Sequence, residues 1–261
     1  MTWVIGTGVP FGYCVGLSDI CVTFEGGLTK DCLQKIYPVG RFVTAGFAGS
    51  VQLGFELVDL LRDLAFCDDK HAVVPADLAR CFQEPARNLF LDSSPQLQRL
   101  GSQILLLAVH PTDDLGMSEF PRPEVYCCSC PDFEMVQAKV ATVVSIGSGS
   151  DVEAYKTALK HLSDEPFKLL QLQVAGGPSS TVGLSFMITQ LLRKHKVEGI
   201  STYLHCCFVS RGQIWIGNNN HETYPHQGEK EIFCMPPVAT NWQEFVQIAS
   251  LECASATLAT C

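Results

Sequence analysis

Thr2 stands directly after Met1 and opens an apolar run; Asp19 and Lys35 follow it at intervals of 17 and then 16 residues. Methionine is normally trimmed when the next residue is small, so the expected mature chain begins at Thr2. An N-terminal threonine carries its own base. The ordinary pKa of an α-amine is about 7.7–8.0, which leaves a useful fraction neutral at physiological pH. That amine accepts the proton of the neighbouring hydroxyl directly or through one water, and the hydroxyl then attacks a carbonyl carbon. Threonine also follows methionine for translational and trimming reasons alone, so Thr2 carries weight only in company.

Other candidate chemistry reads as structure. Gly6-Thr7-Gly8 lacks the third glycine of a dinucleotide fingerprint, and Pro10 interrupts where a helix should begin. Gly147-Ser148-Gly149-Ser150 could offer free amides to a phosphate, but no Gly-Lys-Ser/Thr follows, and a tight strand-to-helix turn is the plainer reading. His221 and His226 are five apart rather than four, and Pro225 would break the helix that a zinc protease needs. Gly16-x-Ser18, Gly183-x-Ser185 and Gly199-x-Ser201 each lack the second glycine of a nucleophile elbow. Cys127, Cys128 and Cys130 form one thiol-rich knot, and His205, Cys206 and Cys207 another. Both lie in strand-like runs, where alternate side chains face opposite sides, so buried thiols are expected and no metal.

The elements that would position Thr2 come from periodicity. Residues 2–8 and 13–24 predict two apolar strands joined through a turn at 8–12, with a third strand at 41–46. Leucines and valines at helical spacing predict a helix over 50–66, and a second over 75–91 is expected to break or end near Pro85. Strands are expected at 103–110, 124–130 and 138–146. A helix over 151–162 would be capped by Ser150 or Asp151. A loop at 175–180, a helix at 181–196 ending in Arg193-Lys194-His195-Lys196, strands at 202–209 and 213–217, a loop at 218–220 and a short helix at 241–250 complete the chain. The order predicts a layered α+β domain with sheets in the middle.

In this setting the sequence resembles the proteasome β-subunit family, including the HslV-like peptidases, within the N-terminal nucleophile (Ntn) hydrolases. The resemblance rests on Thr2 opening the first strand, Asp19 in Leu17-Ser18-Asp19-Ile20, and Lys35 in Gln34-Lys35-Ile36. It also rests on Ala45-Gly46 at a strand end, Gly147 to Ser150 before a helix, and Glu198-Gly199-Ile200-Ser201 before a late hairpin. It spans residues 2–217; 65–135 and the tail beyond 220 align poorly. The chain departs at Trp3, at Cys21 where the family carries Arg, at Glu198 in place of Asp, and at Thr202 in place of Gly. These departures suit a divergent, stand-alone branch.

The resemblance implies a four-layer αββα sandwich, two antiparallel sheets between helix layers, formed by residues 1–261 as a single domain with 218–261 as a C-terminal extension. It implies a threonine-type endopeptidase or amidohydrolase with no cofactor and no metal. Thr2 would be the nucleophile, Lys35 beside Asp19 would lower the pKa of the Thr2 amine and hydroxyl, and Gly46 would donate to the oxyanion. Ser148, Ser201 and Glu198 would orient the amine and relay its proton, and Thr44 and Ala48 would line the side-chain pocket. The substrate would be a peptide or unfolded protein, cut inside a homo-oligomeric ring or stack. Two other readings are an Ntn amidohydrolase for a small amide and a non-catalytic proteasome-like structural subunit, the latter if Met1 is retained.

Composition sets outer limits. Eighteen Lys plus Arg against 27 Asp plus Glu give a net charge of −9, which argues against a broad nucleic-acid face. Apolar residues make up 47 %, and charged residues only 17 %, a lean supply that fits surface covered by a partner subunit. No apolar run is long enough to span a membrane, and the N-terminus lacks the basic start of a secretory signal. Thirteen cysteines then read as free thiols in a reducing, cytoplasmic compartment.

Overall fold

A computed structural model of the chain describes residues 2–66, 73–111, 120–164, 179–219, 224–226, 229–231 and 235–258. The fold is mixed α+β. Strands β1 (Val4–Val9) and β2 (Tyr13–Asp19) make the expected hairpin, Val4 opposite Ser18 and Val9 opposite Tyr13. Two short strands follow, β3 (Cys21–Thr23) and β4 (Thr29–Asp31), paired with each other. Next come β5 (Ile36–Gly40) and β6 (Val43–Gly49), then helices α1 (Val51–Ala65), α2 (Pro75–Asp92) and α3 (Pro95–Leu100). Strands β7 (Ser102–Val109), β8 (Pro123–Ser129), β9 (Val136–Gln137) and β10 (Val143–Ile146) lead through a 3₁₀ turn at Ser148–Asp151 to α4 (Glu153–Asp164). Helix α5 (Ser179–Lys194), strands β11 (Leu204–Ser210), β12 (Gln213–Asn218), β13 (Tyr224–His226) and β14 (Glu229–Glu231), and helix α6 (Trp242–Leu258) close the order.

The strands form two five-stranded antiparallel sheets, β10-β1-β2-β11-β12 and β5-β6-β7-β8-β9, besides the ribbons β3-β4 and β13-β14. Their inner faces share one apolar layer containing Val4, Ile36, Leu105, Leu107, Val125 and Cys207. Gly6 and Gly16 face each other across the hairpin, and a Cβ at either would lie 2.5 Å from Leu107. Their missing side chains make room for that leucine. The outer face of the second sheet packs on α1 and α2 through Phe47, Leu57, Leu61, Phe82 and Phe90. The outer face of the first packs on α4 and α5 through Trp3, Ile5, Tyr155, Leu159 and Ile188. Strands β1 and β7 are therefore covered on both faces, which explains their continuous apolar runs.

Several expectations need correction. Helix α2 runs unbroken through Pro85. An interior proline costs about 3 kcal/mol, but Phe82, Ala86 and Phe90 share its buried face and keep the helix docked. Neither Ser150 nor Asp151 caps α4, since both belong to the preceding 3₁₀ turn, where the Ser150 hydroxyl donates to the Gly147 carbonyl. The stretch 13–24 divides into β2 and β3, and 138–146 holds only β10. The basic cluster does end α5, with His195 N–H still bonded to Leu191 O. The loop expected at 175–180 is overtaken at its end by α5, which already begins at Ser179; residues 175–178 and 220–223, His221 included, lie outside the described residues. No described helix is long and apolar enough to cross a membrane, and the nine cysteines whose side chains are described are free thiols.

Candidate active site

Asp19 closes β2, where the first sheet gives way to the β3-β4 ribbon, and it is fully buried. One carboxylate oxygen accepts from the Trp3 N–H at 2.7 Å and from the Lys35 ammonium at 2.9 Å. The other accepts from Cys21 N–H at 3.0 Å and from Ser201 N–H at 3.4 Å. Lys35 precedes β5 and is itself 1 % exposed; its ammonium also donates to the Cys21 carbonyl at 2.5 Å. Removing two charges from water is costly, and a buried ion pair persists only when further hydrogen bonds satisfy both partners. Here the backbone of residues 3, 21 and 201 supplies them. Cys21 serves through its amide and carbonyl, groups that any residue type carries, so this anchoring does not depend on the side chain at position 21. Its thiol is pushed up to about 12, first by burial and then by the charges of Asp19 and Asp31.

Thr2 lies one residue before the Trp3 amide that Asp19 holds. Its N–H donates to Ser148 Oγ at 3.0 Å, and its carbonyl accepts from Gly149 N–H at 3.1 Å and from the Ser148 hydroxyl at 3.4 Å. The turn Gly147–Ser150 is thus pressed against the chain start. A Cβ at Gly147 would lie 2.3 Å from the Thr2 carbonyl oxygen, and one at Gly149 would lie 2.4 Å from the Trp3 ring. Gly147 also has φ +86°, a conformation open to glycine. Trp3 stacks on Tyr155 of α4 at 4.5 Å between ring centres and is 1 % exposed, so it anchors the segment. The Tyr155 hydroxyl in turn donates to the His195 carbonyl at 2.6 Å.

The structure therefore brings Thr2, Asp19, Lys35, Ser148 and Ser201 together and leaves Gly46 and Glu198 outside. Gly46 faces the layer between the sheets, where an added Cβ would meet Val4 at 2.7 Å. Glu198 is exposed in the turn after α5 and bonds to none of the five. Thr44 and Ala48 are also buried between the sheets, Thr44 Oγ1 lying 3.4 Å from Cys207 Sγ. Two residues that the sequence pattern did not single out lie in this region. Asp31 on β4 pairs across the ribbon with Cys21, and its carboxyl lies above the usual range, raised first by burial and further by the Asp19 charge, with Ser201 opposing the shift. Gly49, at the end of β6 with φ +100°, lines the cleft beside Thr2. Asp31 escaped the sequence reading because β4 is three polar residues long; the signal available was the alternation of Cys21-Val22-Thr23 against Thr29-Lys30-Asp31.

Thr2 opens on a cleft of about 840 Å³ lined by Thr23, Phe24, Gly49, Arg99, Gly147 and Ser148. A second lobe of about 360 Å³ also reaches Thr2 and Lys35. The cysteines of the two knots line neither lobe. Cys127 and Cys130, three residues apart, engage the Val136 carbonyl and the Ser102 N–H respectively, and Cys206 and Cys207 point into different apolar layers. Among the described residues no three His, Cys, Asp or Glu side chains are placed to hold a metal ion. Comparison of the sequence with protein-family models returns no match, and comparison with curated proteins returns none.

Proposed function

We propose that the chain is a threonine-type amide hydrolase of the proteasome β-subunit and HslV-like kind, folded as a four-layer αββα Ntn sandwich. The reading rests above all on one observation: a single Asp19 oxygen holds both the Trp3 amide and the Lys35 ammonium, while the preceding Thr2 nitrogen sits on Ser148 Oγ. Once Met1 is removed, that nitrogen is a primary amine beside a hydroxyl and a buried cation.

In this mechanism Thr2 Oγ adds to the substrate carbonyl carbon, and its proton passes to the Thr2 amine. The carbonyl π pair moves to oxygen, and the Gly49 amide stabilises the oxyanion. Phe47 N–H points to the β5 side, onto the Lys35 carbonyl at 3.1 Å, and amides two apart along a strand point the same way. Gly49, rather than Gly46, is thereby the donor at the cleft. Collapse breaks the C–N bond, and the leaving amine takes the proton held by the Thr2 ammonium. Water then adds to the Thr2 ester with the amine as base, releasing the acid and restoring the hydroxyl. The Lys35 charge disfavours protonation of the amine and favours ionisation of the hydroxyl; Ser148 orients the amine, and the Ser201 N–H supports Asp19. A self-compartmentalising homo-oligomer acting on peptides or unfolded protein completes the proposal, supported by the low charged fraction.

Thr2→Ala lowers turnover of fluorogenic peptides by on the order of 10⁴-fold or more with an unchanged circular-dichroism spectrum, and Thr2→Ser retains activity. Equal rates for wild type and Thr2→Ala would remove Thr2 from the mechanism.

A further inference from the structure

The smaller lobe of the cleft owes one wall to the C-terminal helix. Ala239, just before α6, forms a parallel bridge with Leu33: Gln34 N–H donates to the Ala239 carbonyl at 3.0 Å, and Ala239 N–H donates to the Cys32 carbonyl at 2.7 Å. The segment is thus tied by main chain to the residues flanking Lys35. Helix α6 then starts on a reciprocal cap, with Thr240 N–H donating to the Glu244 carboxylate at 2.7 Å and Glu244 N–H to Asn241 Oδ1 at 2.9 Å. This fixes the direction of its first turn, which places Trp242 and Phe245 at the cleft. Phe245 stacks on Phe24 at 6.0 Å, and Trp242 lies edge-on to Phe55 at 6.3 Å.

The lobe is apolar in character. Val22, Phe24, Leu97, Leu100, Trp242 and Phe245 line it, and its one charged lining residue among those described is Lys35, already bonded to Asp19. Gln52 and Gln96 add neutral polar points to its walls, but among the described residues no carboxylate lines it to pair with a cationic side chain. Its volume of about 360 Å³ lies within the range of small-ligand sites, about 300–1,000 Å³. Trp242 is 37 % exposed, so its ring has surface left to cover.

We infer that α6 is the selecting wall of this lobe, and that the lobe takes a bulky apolar side chain, aromatic or long aliphatic, from the acyl part of the amide being cut. The inference rests on the hydrolase reading for its chemistry but not for its binding test. Full-length Thr2→Ala protein is titrated by calorimetry with N-acetyl-Ala-Ala-Phe amide and N-acetyl-Ala-Ala-Gly amide. The Phe peptide binds about tenfold or more tightly than the Gly peptide, and Trp242→Ala in that background removes the preference. Leu100→Glu, at an exposed rim position, shifts preference toward a Lys peptide, a gain that misfolding does not mimic. Equal affinity for the Phe and Gly peptides, or a preference for Phe that survives both substitutions, overturns the inference. Selective binding with no wild-type turnover would sink the hydrolase reading and leave the pocket standing; turnover indifferent to the side chain would do the reverse.

Discussion

At the residue scale, the account turns on a buried charge pair whose partners satisfy each other and little else could. Lys35→Ala leaves the Asp19 carboxylate buried with its backbone donors but no cation, and breaking such a pair costs about 3–5 kcal/mol. Urea unfolding is expected to show a loss of that size together with loss of turnover; a drop under about 1 kcal/mol would mean that the pair is better solvated than its burial indicates. Residues defined by short spacing were legible from the sequence: Thr2, Asp19 and Lys35 fall at or beside the ends of strands that are close in the chain, and Ser148 heads a turn with its own glycine signature. Gly49 and Asp31 were not. Gly46 lies in the middle of β6 and Gly49 ends it, and only the β5 register decides which amide faces the cleft. Asp31 reaches this region through the pairing of β4 with β3, opposite Cys21, which local pattern does not encode.

Among elements, the turn at Gly147–Ser150 does the most positioning, because it touches Thr2 by three hydrogen bonds and by van der Waals contact. Gly147→Ala forces a Cβ into the Thr2 carbonyl and a side chain onto φ +86°, a strain of about 1–3 kcal/mol. It is expected to lower Tm and to reduce kcat more than KM, since the nucleophile shifts while the side-chain lobe does not. An unchanged kcat would separate the turn from the chemistry. Strong periodicity made α1, β1, β2, β7 and β11 readable. The ribbon β3-β4 and strand β5 were missed because β4 is short and polar and β5 carries Pro38 beside a register shift, tolerable there because β5 is an edge strand. Helix α2 shows the opposite failure, a local breaker overruled by the packing of Phe82 and Phe90.

For the molecule as a whole, the two sheets meet in an apolar layer that also encloses His205. Its cross-strand partner Ser18 lies opposite Val4, which places the imidazole on the inner face near Lys35. Burial, reinforced by the Lys35 charge, lowers its pKa from 6.5 to about 4. The folded chain keeps His205 neutral while the unfolded chain takes up a proton, so stability falls as pH drops from about 6.5 to about 4. The full shift is worth about 3 kcal/mol. His205→Gln should flatten that part of the urea-derived pH profile relative to wild type; parallel profiles would refute the assignment. The layered order of strands and helices was visible in the sequence because long buried strands and amphipathic helices each announce themselves. The contribution of the tail to the cleft was hidden, since it depends on a main-chain bridge at Ala239 between distant segments.

The most direct test of the central claim is intact-mass spectrometry of the purified full chain, before and after brief exposure to the p-nitrophenyl ester of N-acetyl-phenylalanine. The account predicts a mass lacking one methionine, then release of p-nitrophenol and a gain of one N-acetyl-phenylalanyl group that peptide mapping assigns to Thr2. A chain that keeps Met1, or an adduct on any other residue with Thr2 unmodified, would contradict it.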